Sequence, residues 1–352
     1  MTTSKTNTGN FFEDFRVGQV FQHATPRTLT VGDIALYNGL YGARFAVQSS
    51  EPFAQAIGYP RAPIDDLMVF HVVFGKSVPD ISRNAIANLG YADCRFLTPV
   101  YAGDTLTAVS EVIGVKENSN RTSGVVYVRT RGRKQSGEIV LEFVRWVMLR
   151  KRNAAAAAPE PVVPKLAERV DPAVLAGAVP AIDVNRYAFR LAGEAYRWGD
   201  YKPGERLDHA EAMTLEEAEH QIATRLYQNT ARVHFNQHEQ AQGQFKRRLV
   251  YGGIIMSLAR ALSYNGLANA FHIAAINGGR HVAPAFAGDT IYACSEILEV
   301  CEIPLRRDIG AVRVRLVAIK NRSGADFPLQ TAAGTYSEGV LLDLDLWLIL
   351  PR

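Results

Sequence analysis

Stretches in which apolar and polar residues alternate recur along the chain: TLTAVSEVIGV over 105–115, GVVYVRTRGR over 124–133 and IVLEFVRWVML over 139–149. A period of two puts one set of side chains on each face of a strand, and the Gly-containing turns between the runs predict an antiparallel sheet. Two segments break this rhythm. DDLMVFHVVFG (65–75) and GGIIMSLARALSYNG (252–266) are apolar almost all round and read as buried helices. Two further helices carry start signals: Thr30 before VGDIALYNGLY, and Thr214 before LEEAEHQIATRLY with Glu217 at the capping-box position.

The same order occurs twice. CRFLTPVYAGDTLTAVSEV faces GRHVAPAFAGDTIYACSEI, and a spacing of 185 residues superposes Arg95 on Arg280, Pro99 on Pro284, Asp104 on Asp289 and Glu111 on Glu296. DFRVGQ and DYKPGE precede these segments, and LEFVRWVML and LDLDLWLIL follow them, with Trp146 opposite Trp347. Anchors in one order at near-constant spacing imply a duplicated unit of ordinary domain size. A sheet needs its apolar face covered, and each copy has one strongly apolar helix to do it. The expected fold class is therefore α+β, a double hotdog: two tandem antiparallel sheets, each wrapped around a central helix, with edge strands paired into one sheet. The expected domains are a disordered leader (1–10), an N-terminal hotdog (11–151), a linker (152–195) and a C-terminal hotdog (196–352). The linker starts as RNAAAAAPEPVVPK, and its remainder is expected to drape across the surface.

Composition changes this picture little. The apolar fraction of 47% and charged fraction of 21% suit a chain that buries a core. Lys+Arg 39 against Asp+Glu 35 leaves +4, scattered along the chain, which argues for no nucleic-acid and no membrane partner. The polar start lacks the apolar stretch of a signal peptide. Cys94, Cys294 and Cys301 have no CxxC spacing and predict reduced thiols in the cytoplasm, with neither a disulfide framework nor a zinc site. No Walker loop, GxGxxG after a strand, GxSxG or HExxH is present.

The copies diverge in the loop between their helices. Asn229 and His234 face Ala43 and Gln48, so one copy carries an amide and an imidazole where the other has a methyl group and an amide. A core position keeps its chemistry in both copies, whereas a site needed once per molecule need not. An imidazole near neutral pKa can take a proton from water and return one to carbon, and the Asn229 carbonyl is a candidate for holding that water or fixing the ring tautomer. The plain alternative for His234 is a satisfied loop histidine. Gly252 and Gly253 open the second apolar helix, where backbone N–H groups suit an oxygen gaining negative charge; they equally permit close packing. Asp65 and Asp66 occupy the corresponding place in the first copy and read as a helix cap. The two AGDT segments read as turns. Arg232, Arg248, Tyr251 and Gly253 are candidate substrate-binding residues; Lys246, Arg247, Arg44 and Arg61 have the same cationic character or a solvated role.

FEDFRVGQVF, PVYAGDTL, PAFAGDTI and NTARVHFN make the sequence resemble the MaoC-like dehydratases, which include the R-specific enoyl-CoA hydratases. The likeness covers about 11–150 and 196–350. In that family the loop reads Gly-Asp-x-Asn-Pro-x-His, an Asp–His dyad activates water, and a backbone N–H at the central helix start receives the thioester oxygen. The resemblance implies His234 as the catalytic histidine, Asn229 in the aspartate position and Gly252 as the oxyanion glycine. An amide cannot act as a base, so His234 works nearly alone or borrows a carboxylate. Ala231 and Arg232 depart from Asn-Pro. The length, the LGYADCRFLTPVYAGDTL segment and RLYQNTARVHFNQ narrow the likeness to members acting on a branched C5 dicarboxylic thioester, whose free carboxylate Arg232 or Arg248 is expected to hold. The implied activity is reversible hydration of an enoyl-CoA, with no metal or organic cofactor and CoA as carrier; a paired hotdog can stand alone, but a homodimer is expected because such self-association is common. Alternatives are a hydratase of another 2-enoyl-CoA, a hotdog acyl-CoA thioesterase and a non-catalytic acyl-CoA-binding subunit.

Overall fold

The computed structural model describes residues 5–352. Among the described residues eleven strands form one antiparallel sheet: β1 (Val20–Gln22), β2 (Arg27–Thr28), β3 (Ala85–Phe96), β4 (Thr105–Glu117), β5 (Ser123–Arg133), β6 (Ile139–Arg150), β7 (Arg206–Thr214), β8 (His272–His281), β9 (Thr290–Glu302), β10 (Ile309–Lys320) and β11 (Val340–Pro351). Their order is β1-β4-β5-β6-β3-β8-β11-β10-β9-β7, with β2 beside β4. The alternating runs over 105–115, 124–133 and 139–149 fall in β4, β5 and β6. The expected edge-to-edge join is the β3–β8 pair, in which Tyr91 faces Gly279 and Arg95 faces Ala275.

Four helices position the site: α1 (Val31–Tyr41), α2 (Asp66–Ser77), α3 (Glu217–Leu226) and α4 (Gly252–Leu262). Helices α2 and α4 are the expected apolar segments, buried almost throughout, and each fills the concave face of its own half-sheet. Helix α4 stops at Leu262, four residues short of Gly266, where φ is +102°. Thr30 caps α1 through Asp33 N–H, and Asp65 caps α2 through Leu67 N–H, as the sequence predicts. Thr214 does not cap α3. Its hydroxyl is spent across the sheet on Thr290 at 2.8 Å, as Thr28 is on Thr105 at 2.7 Å, and α3 starts behind Glu216. The AGDT turns are structural: Gly103 and Gly288 have positive φ, and Asp104 and Asp289 accept Tyr101 N–H and Phe286 N–H.

A buried polar pair marks the repeat from inside. His23 Nε2 meets Ser110 Oγ at 2.7 Å, and 186 residues on, His209 Nε2 meets Ser295 Oγ at 2.7 Å. Both clamp the first strand of a repeat to the strand beside it.

Two expectations about the connecting segments change. The leader expected over 1–10 lies partly outside the described residues, but Asn7, Thr8 and Asn10 accept hydrogen bonds from Arg83 and Asn84 through their backbone carbonyls, so residues 7–10 are held. The linker does more than drape. Val170, Leu175, Val179, Ile182 and Tyr187 are buried against Phe53, Ile57, Phe271, Ile309 and Trp347, forming a second core on the outer face of the C-terminal half-sheet. That face is apolar and needs cover, which the linker and the first copy's 46–59 segment supply. Trp347 is 0% exposed and donates to the Val170 carbonyl at 3.2 Å, whereas its counterpart Trp146 stays partly exposed against Tyr127. Trp347→Ala is expected to cost about 3–5 kcal/mol in denaturant unfolding, and Trp146→Ala clearly less; equal losses contradict the linker's role as core.

Candidate active site where the two repeats meet

The loop after α3 passes over the C-terminal end of α2. Gly75 makes this possible, because a Cβ there would overlap the Tyr227 carbonyl oxygen and press on the Asn229 nitrogen. Asn229 is 3% exposed; its Oδ1 accepts Ala231 N–H at 3.0 Å, a local turn that starts the 3-10 segment Arg232–His234. Its Nδ2 has no hydrogen-bond partner among the described residues.

The His234 ring is fixed from behind. Its Nδ1 lies 2.9 Å from the Leu249 carbonyl, which can only accept, so Nδ1 carries the proton and Nε2 the lone pair. Leu249 sets the tautomer, so of the two roles open to Asn229 that one falls away, the Asn229 carbonyl being taken by Ala231. Burial is the main cause that pushes His234 down to about 4; the Leu249 hydrogen bond opposes it. The imidazole is therefore neutral near pH 7. Its ring stands edge-on to Tyr251, centroids 5.6 Å apart, and Tyr251 is the residue immediately before α4.

Helix α4 begins without side chains. The first N–H groups of a helix have no intrahelical acceptor, and those of Gly252 and Gly253 find none among the described residues. Neighbours fill the places a Cβ would take. His281 ring atoms lie 2.5–2.9 Å from the Cβ position of Gly252, and His71 Cε1 lies 2.6 Å from that of Gly253. His281 Nε2 meets the hydroxyl of the fully buried Tyr91, from the other repeat, at 2.9 Å. Burial, then His234, lowers His281 to about 4. Behind it a polar chain crosses between repeats: Asp65 Oδ1 to Tyr37 at 3.0 Å, Tyr37 to Ser257 at 2.9 Å, and Ser257 to His71 Nε2 at 3.0 Å.

The structure thus brings His234, Tyr251, Gly252 and Gly253 together, with Asn229 on the adjoining loop. The two cationic candidates have other surroundings. Arg232 is exposed, and Arg248 is held by Glu217 at 2.5 Å, the same carboxylate that binds His220 at 3.0 Å. Arg44 pairs with Glu211, and Arg61 with Glu51 and the Ala102 carbonyl. His281 and Tyr91 escaped sequence reasoning. The signal for His281 is present, because the spacing that pairs Arg95 with Arg280 sets Phe96 opposite His281, the same asymmetry as at His234.

The corresponding place in the first repeat is closed. Asp66 pairs with His272 at 2.9 Å, Phe96 packs on that ring, and with Tyr59 and Ala178 they leave only about 10 Å3, no room for a ligand. Gln48, opposite His234, donates to the Phe271 carbonyl at 2.6 Å.

A sequence model of the mesaconyl-CoA hydratase family matches residues 2–329. The chain belongs to that family. It is 59% identical to beta-methylmalyl-CoA dehydratase of Chloroflexus aurantiacus, over 99% of both chains. It is 55% identical to mesaconyl-CoA hydratase of Cereibacter sphaeroides, over 99% of this chain and 100% of that one. Among solved structures, a MaoC domain protein from Chloroflexus aurantiacus superposes with a TM-score of 0.97 at 59% identity, covering 99% of each chain. A Mycobacterium tuberculosis protein described as a double hotdog gives 0.71 at 24% identity over 98% of this chain and 99% of that one, a likeness of fold alone. The fold is a double hotdog of the MaoC-like kind.

Two outcomes follow from this geometry. A base that loses its proton near pH 4 predicts kcat/KM flat from about pH 5.5 to 7, with an acid limb only as the pH drops toward the His234 value of about 4. A pH–rate profile with an inflection near 6.5 contradicts that assignment. His281→Phe, which installs the first-repeat residue, is expected to lower kcat by about 10- to 100-fold without changing the thermal midpoint greatly; unchanged kcat removes His281 from the site.

Proposed function

We propose that the protein is a hydro-lyase that interconverts mesaconyl-CoA (2-methylfumaryl-CoA) and β-methylmalyl-CoA by reversible addition of water. The full-length likeness to relatives named for those two directions supports the substrate. The observation that carries the chemistry is the neutral His234 ring, its Nε2 left with the lone pair by the Leu249 contact, standing beside the bare N-terminus of α4.

In this scheme the thioester carbonyl accepts a hydrogen bond from the Gly252 N–H, and the dipole of α4 favours the negative charge that develops there. Water adds to the β-carbon as His234 Nε2 takes its proton. The thioester holds the charge as an enolate, and the proton returns to the α-carbon, so one water is added across the double bond and nothing else is consumed. Dehydration runs the same steps backward. No metal or organic cofactor enters the scheme; CoA is the carrier part of the substrate. Asn229 lacks a proton-accepting group, which leaves His234 as the proton carrier. Tyr251 and Gly253 shape the tip around Gly252, while Arg248 is engaged by Glu217 and Arg232 is exposed. The proposal takes the chain as a cytoplasmic homodimer, to be checked as twice the chain mass in solution. No helix of the described residues is long and apolar enough to cross a membrane.

Incubation with mesaconyl-CoA is expected to remove the conjugated enoyl-thioester absorbance and give a product one water heavier. His234→Ala is expected to abolish this, by 10²-fold or more, with an unchanged far-ultraviolet spectrum. Release of free thiol instead identifies a thioesterase, and binding without loss of the chromophore a non-catalytic subunit.

A further inference from the structure

A cavity of about 510 Å3 lies at the seam between the repeats, lined by Thr25, Gly75 and Lys76 from the first and Arg225, Asn229 and Thr230 from the second. Lys76 is 3% exposed, and its Nζ donates to the Thr25 carbonyl at 2.5 Å. No carboxylate pairs with it among the described residues. Asp33 is engaged by Arg27 at 2.7 Å and Asp80 by His23 at 2.7 Å. Burial, with Arg27 nearby, lowers Lys76 to about 8. A desolvated ammonium without a counter-ion is costly, and an anion entering the cavity offsets that cost. Arg225 points the same way: its Nε donates to the Gln221 carbonyl at 3.1 Å, and its guanidinium has no carboxylate partner among the described residues. Asn229 adds a buried amide whose Nδ2 is unpaired.

We infer that this cavity is the subsite for the free carboxylate of a dicarboxylic acyl thioester, held by Lys76 and Arg225 and by the amide of Asn229. The inference rests on the function proposed above and names the residues that select its substrate. In a methylfumaryl thioester the free carboxylate is attached to the carbon that water attacks, so it must lie close to the loop that handles the water. A carboxylate at position 229 would then face the substrate's own. An amide there donates a hydrogen bond instead of repelling, which suits Asn229 to that place. The phosphates of CoA are the other anions in the system.

Two unreactive thioesters separate these sources: methylsuccinyl-CoA and 2-methylbutyryl-CoA differ only in carboxylate against methyl. Calorimetric Kd values are expected to show the wild-type chain preferring methylsuccinyl-CoA. Lys76→Gln is expected to reduce that preference by about 100-fold, and Arg225→Gln, at an exposed position that leaves folding intact, by about 10-fold. Equal weakening of both thioesters overturns the inference in favour of a CoA phosphate, and an unchanged ratio in both variants overturns it outright. Because the measurement needs no turnover, a chain inactive on mesaconyl-CoA would sink the proposed function without deciding this test.

Discussion

The site exists because two backbones approach more closely than side chains allow. At Gly75 the end of α2 meets the carbonyl of Tyr227, and at Gly253 the start of α4 meets His71. A methyl group at Gly75 would push the C-terminal loop away from the N-terminal helix, and one at Gly253 would run into the His71 and Tyr251 rings. With that contact in place, the loop carrying Asn229 and His234 is pinned over the seam, and the tip of α4 opens beside it. The β3–β8 pairing fixes the register of the two halves, and the Asp65–Tyr37–Ser257–His71 chain fixes how their central helices face. Burial raises the Asp65 carboxyl to about 6, with Asp66 adding to the shift and Arg260 opposing it. A buried chain of this sort holds one arrangement, because any slip leaves polar atoms unpaired.

Duplication gave the protein two equivalent places, and the structure shows what became of each. At the first, two aspartates replace two glycines, and a ring and an ion pair close the space. Its residues now serve the opposite half: Gln48 ties to Phe271, and Ile273 N–H is capped by Asp66. At the second, side chains are removed from the helix tip and imidazoles are brought to it. The first repeat still contributes, through Tyr91, His71 and the end of α2. Neither half is self-sufficient, which is a physical reason for the chain to keep both.

The legible features were those written locally or written twice. The strands, both central helices, the AGDT turns and the Thr30 and Asp65 caps follow from spacing over a few residues. The loop histidine showed itself because the copies differ there. The Thr214 cap failed because a hydroxyl has one set of bonds to give, and the cross-strand Thr290 claimed it. Arg232 and Arg248 stand near His234 in sequence, but Arg232 is exposed and Glu217 claims Arg248. Lys76 and Tyr91 have no local mark at all; they matter only through what folds against them.

The sequence by itself determined a duplicated α+β fold, its element order and the copy that keeps an imidazole, because periodicity and repetition survive without any knowledge of contacts. Tertiary structure alone decided that Leu249 sets the His234 tautomer, that His281 and Tyr91 join the helix tip, and that the linker is core. Each of these depends on atoms 15 to 190 residues apart meeting within hydrogen-bond reach or in a shared apolar layer. Such encounters are fixed by packing and desolvation over the whole molecule, which no window of sequence contains.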